Sequence, residues 1–112
     1  MSVLIKWNGY WTGGGGGGEL HLDVPTFVQR QTQAKIKQLV KSVLKISINA
    51  EECARQIIEE CEEQMEIEKE EFRKIVKRKD KGWKSESTTK TRTLKKYKLF
   101  IELVKPYEAK DV

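Results

Sequence analysis

Few groups in this chain are of a type and spacing that carry chemistry: Cys53, Cys61, His21 and a dense set of glutamates. A closed zinc site takes four Cys or His ligands, and two cysteines with one histidine cannot build it within one chain. The cysteines stand eight residues apart in a stretch with helical periodicity. Eight helical residues span about 12 Å, too far for an intrachain disulfide. Both therefore read as reduced, buried thiols, which points to a cytoplasmic chain. Neighbouring glutamates raise a thiol pKa, so neither cysteine reads as a nucleophile.

Glu59, Glu63 and Glu66 fall near one helical face. Carboxylates so placed hold magnesium in helical nucleotide pyrophosphohydrolases, but there a neighbouring helix adds a second acidic pair. The preceding helix of this chain offers no Asp or Glu. Six consecutive glycines, Gly13 to Gly18, can curl their amides around a phosphate. A phosphate loop also needs a following helix and a Gly-Lys-Ser/Thr ending. This run leads into strand-like sequence and carries no lysine, so it reads as the flexible tip of a hairpin. No catalytic residue, metal or cofactor is expected, and the reading is non-enzymatic.

The cations are different. From Arg73 to Lys98 twelve basic residues face only Asp80 and Glu86, a local net charge of +10 in a chain whose total is +5. Such a block attracts polyanions through counterion release. The residues assigned to this surface are Lys74, Lys77, Arg78, Lys81, Lys84, Arg92, Lys95 and Lys96, with Trp83 as an aromatic anchor. Nucleic acid or an acidic protein surface is the expected partner. The alternative is a small interaction or inhibitor protein of the kind phages carry, acting through its long helix or its aromatic hairpin.

The elements that must position these groups follow from periodicity. Residues ~3–11 and ~19–24 alternate or are β-rich and form an N-terminal hairpin. Asp23 with Pro25, or Thr26 with Gln29, starts a helix over ~26–45 whose apolar stripe includes Val28, Thr32, Ile36, Leu39 and Val43. Asn49, with Glu52 in the capping-box position, opens a second helix over ~50–79 that Gly82 ends. Its seam of Ala54, Ile58, Cys61, Met65, Glu68, Phe72 and Ile75 outruns a small domain. The far half projects into solvent, pairs outside the chain (which makes a second copy an expected partner), or the helix kinks or ends near residue 70. Alternating Tyr97, Leu99, Ile101 and Leu103 predict a strand over ~94–104, preceded by a polar loop or edge strand. The whole is a single α+β domain over 1–112: a small antiparallel sheet, made of the hairpin and the C-terminal strand, packed on a two-helix hairpin. No stretch is apolar for long enough to span a bilayer.

Residues 49–72 carry ten glutamates against Arg55 and Lys69, and residues 26–48 carry five basic residues and no acid. An antiparallel pairing of the two helices accounts for both compositions. Leu4-Ile5-Lys6-Trp7-Asn8-Gly9-Tyr10 resembles a chromodomain strand. The likeness covers those seven residues, and the upstream strand and downstream acidic-aromatic segment of that family are missing. No histone-reading residue is carried over.

Overall fold

The computed structural model describes residues 2–7 and 17–108. Over these residues the fold is α+β, with a two-stranded antiparallel sheet and four α-helices. Strand β1 (Ser2–Trp7) pairs with β2 (Gly18–Asp23) in a register that sets Val3 opposite Leu22 and Ile5 opposite Leu20. Val3, Ile5 and Leu22 are buried, so the expected alternation places one face of the hairpin on the core. Most of the glycine run, and the part of the first strand expected beyond Trp7, lie outside the described residues. At the end of the run Gly18 has a steric role. A β-carbon there would come within 2.6 Å of the Trp7 ring, closer than any side chain tolerates.

The helix expected over 26–45 is two helices. Asp23 Oδ1 accepts from the Thr26 amide and Pro25 sits in the first turn, opening α1 (Val24–Arg30). The chain then turns extended at Gln31, and Thr32 caps α2 (Gln33–Ser42) by accepting from the Lys35 amide. Thr32 is a cap rather than a member of the apolar stripe. A 3-10 turn over Leu44–Ile46 follows.

Helix α3 (Ala50–Arg78) has the expected length, 29 residues, but Asn49 does not cap it through its side chain. Instead, its Oδ1 accepts from the Lys6 amide at 3.1 Å and its Nδ2 donates to the Leu4 carbonyl at 2.9 Å. The Ile48 amide donates to the Lys6 carbonyl, and Ser47 bridges to Trp7. Residues 47–49 thus cover the second edge of β1, and each of Asn49's bonds contributes about 1 kcal/mol.

The C-terminal strand is overturned. Trp83–Glu108 is one helix, α4, and the segment expected as a loop or edge strand is its first half. The buried residues Tyr97, Phe100 and Val104 follow a three-four spacing that the apparent alternation masked. Ser87, Thr88, Thr89, Thr91 and Thr93 all donate their hydroxyls to carbonyls three or four residues back, which satisfies them within the helix. Lys79, in left-handed conformation, ends α3, and Gly82 at φ 83° completes the connection to α4.

Helices α3 and α4 form a long antiparallel hairpin, and α4 covers the α3 seam that the sequence left for a second copy. Glu68, which interrupts that seam, is only 6% exposed and faces Lys90 of α4 at 2.6 Å. Glu71 also pairs with Lys90. The basic partner of the acidic helix is therefore α4 here, and not the 26–45 segment. The core lies at the other end, where the sheet, α1, α2 and the first turns of α3 bury Ile5, Val28, Ile36, Leu44, Ile57 and Phe100. Phe27 packs against Phe100 with ring centroids 5.9 Å apart.

Both thiols lie in this core. Cys53 Sγ donates to the Leu4 carbonyl at 3.2 Å. Burial, with Glu52 beside it, pushes the Cys53 thiol up to about 11, and burial with Glu60 and Glu62 pushes Cys61 up to about 12, against an ordinary 9.0. A folded pKa above the unfolded value means stability is full below pH ~9 and is lost as pH rises toward those values. Two outcomes follow. Iodoacetamide at pH ~8 should leave both thiols unmodified in the native protein and label both in denaturant. Unfolding midpoints should fall above pH ~9, less steeply in Cys61→Ala. Rapid native labelling would contradict the burial.

Candidate polyanion-binding surface

The assigned residues divide into two groups. Lys74, Lys77 and Arg78 end α3, Lys81 lies in the connection, and Trp83 and Lys84 begin α4, so these six gather at the hairpin tip. All five cations are exposed and Trp83 is half-buried. Lys79 Nζ and Lys84 Nζ stand 5.8 and 6.0 Å from the Trp83 ring centroid, which sets the indole within a positive collar. Lys79 was not among the residues assigned from sequence. Its left-handed backbone, which swings the chain around the tip, carries no clear signal in the residue type.

Arg92, Lys95 and Lys96 lie further along α4. Eight to twelve residues separate them from Lys84, an axial distance of about 12–18 Å. They share a cleft of about 480 Å³ with Arg30, Gln31, Thr32 and Gln33 at the α1–α2 joint. Lys96 has a structural task there. Its ammonium donates to the carbonyls of Gln29 and Gln31 at 3.3 and 3.2 Å, satisfying the frayed end of α1. Lys90 is likewise committed, to Glu68 and Glu71. These two lysines drop out of the free cationic surface.

One face of α4 joins the two groups. Lys84, Thr88, Thr91, Arg92 and Lys95 recur at helical spacing and are all exposed. No acid falls among them. The only acid in the first half of α4 is Glu86, off this stripe. The result is a positive ribbon that starts at the tryptophan collar and runs to the α1–α2 joint.

Other concavities carry less. A cleft of about 490 Å³ between α3 and α4 is lined by Gln29, Gln64, Glu68, Glu71, Thr89, Lys90 and Thr93, and its charges are engaged with one another. Among the described residues, no three Cys, His, Asp or Glu side chains converge as metal ligands, and no helix is long and apolar enough to cross a membrane. Comparison with protein-family models, curated proteins and solved structures returns no match.

Proposed function

We propose that this chain is a non-enzymatic binding protein that captures a nucleic-acid backbone on the tip of the α3–α4 hairpin. The observation that carries this reading is the cationic ribbon: exposed cations that outnumber Asp80 and Glu86 surround Trp83 and continue along one face of α4 with no acid among them. The mechanism is electrostatic capture followed by contact with the indole. Phosphates exchange their counterions for Lys77, Arg78, Lys81, Lys84, Arg92 and Lys95, and an unstacked base meets Trp83. A regular polyanion suits this surface because the cations are spread along about 16 Å of helix from Lys84 to Lys95, and not focused on a single point.

The test is binding of labelled single- and double-stranded oligonucleotides at ~50 and ~200 mM salt. Roughly 10²–10³-fold weakening across that range is expected if about five or six phosphates are neutralised. Affinity that salt leaves unchanged, or no binding at low salt, sinks the reading. Salt-sensitive capture of polyglutamate in place of either oligonucleotide would assign the surface to an acidic protein.

A further inference from the structure

Resting on that reading, we propose that the cleft at the α1–α2 joint is a second phosphate seat at the far end of the ribbon, in which Arg30 joins Arg92 and Lys95. Arg30 is distant from the other two in sequence and on a different helix, so the grouping exists only in the folded chain. The lining contains no carboxylate, only Gln31, Thr32 and Gln33 beside the basic residues.

The walls are held in place from within. Lys96 ties the Gln29 and Gln31 carbonyls to α4, and Thr32 fixes the start of α2. Lys96 thereby spends its donors on backbone, while Arg30, Arg92 and Lys95 form no ion pair among the described residues. Two guanidinium groups and one ammonium in a cleft without carboxylates suit the successive phosphates of one strand, since each backbone phosphate carries a single negative charge and guanidinium forks bind its oxygens in pairs.

The separation from the tip sets the ligand. A strand must reach about 12–16 Å from Lys84 to occupy both places, the axial rise of about four or five stacked nucleotides. The two contacts then act as linked sites, and the second is reached at high effective concentration. Short strands use one site at a time.

Oligothymidylates of about 2 nucleotides, too short to span both places, and of about 12, within the size range of single-strand sites, test this at ~50 mM salt. The wild-type chain should bind the longer strand at least about tenfold more tightly, as linkage of two sites requires. Arg30→Gln with Arg92→Gln should erase most of that gain and flatten the salt slope by about 1.4, two single-strand contacts' worth. Arg30→Lys with Arg92→Lys should keep the slope. The tip pair Lys77→Gln with Lys81→Gln should weaken both lengths. Both arginines are exposed, so the thermal midpoint should not move. If the Arg30/Arg92 variant keeps the full length gain and slope while the tip pair loses affinity, the seat is overturned and the capture surface shrinks to the cations around Trp83. If the wild-type chain binds neither strand, both fall.

Discussion

Replacing Lys90 by methionine should destabilise the protein by about 3 kcal/mol, although Lys90 is a surface-reaching lysine in a chain that has many. The reason is Glu68. It occupies a seam position of α3 that the pattern reserves for an apolar side chain, and it is 6% exposed. Removing one partner of a buried ion pair leaves an uncompensated charge, which costs about 3–5 kcal/mol. The low end applies because the Lys90 side chain keeps a quarter of its surface and Glu71 half. Burial pulls the Lys90 pKa down, but its pairs with Glu68 and Glu71 outweigh that and raise it above 10.5. A raised folded value means the lysine's share of the pair's contribution is whole below about 10.5 and is lost as pH rises through the folded value, so it is present at neutral pH. Combining Lys90→Met with Glu68→Leu should restore wild-type stability or exceed it, since apolar packing replaces both charges. Urea unfolding of the single and double variants decides it. A loss under about 1 kcal/mol for Lys90→Met, or a double variant as weak as the single, would show that Glu68 is solvated.

Neutralising the hairpin tip should have the largest effect on binding. Lys77→Gln, Arg78→Gln, Lys81→Gln and Lys84→Gln together remove four exposed cations and none of the observed ion pairs. The salt slope should fall by about 2.8 on single strands, and affinity at ~50 mM salt should drop by about two to three orders of magnitude. Surface substitutions away from buried partners change stability by less than about 0.5 kcal/mol, so thermal unfolding should stay near wild type. Trp83→Ala adds an independent arm. It should weaken single strands by about 1–3 kcal/mol and leave the salt slope unchanged, because stacking releases no counterions. A quadruple variant that binds as the wild type does would remove the tip from the function altogether.

The N-terminal hairpin was legible from the β-rich composition of its first strand and the period of two in its second, and the long helix from a three-four seam that only Glu68 interrupts. The C-terminal half of α4 satisfied two periods at once. Tyr97, Leu99, Ile101 and Leu103 alternate, while Tyr97, Phe100 and Val104 mark a helical face. Without knowledge of what covers them, the period of two won. The preceding Ser/Thr-rich stretch reinforced the error, since these residues compete with helical hydrogen bonding unless their hydroxyls fold back on it, as here. Thr32 misled in the opposite sense, fitting a stripe while serving as a cap. The cationic tip was readable from charge density alone. That Lys90 and Lys96 are spent on Glu68 and on the end of α1 was not, because those partners lie 22 and more than 60 residues away and meet only in the tertiary fold.

The Glu68–Lys90 pair also marks where the deep interior ends. Between residues 69 and 96 no side chain is fully buried, whereas the body on the other side holds the whole apolar cluster. The distal hairpin should therefore open more readily than the body. Hydrogen exchange is expected to show amides of the two helix ends exchanging through local events of lower free energy than global unfolding. A strand laid from the tip to the α1–α2 joint would clamp the loose unit to the firm one, so part of its binding energy would be drawn into ordering the protein that holds it.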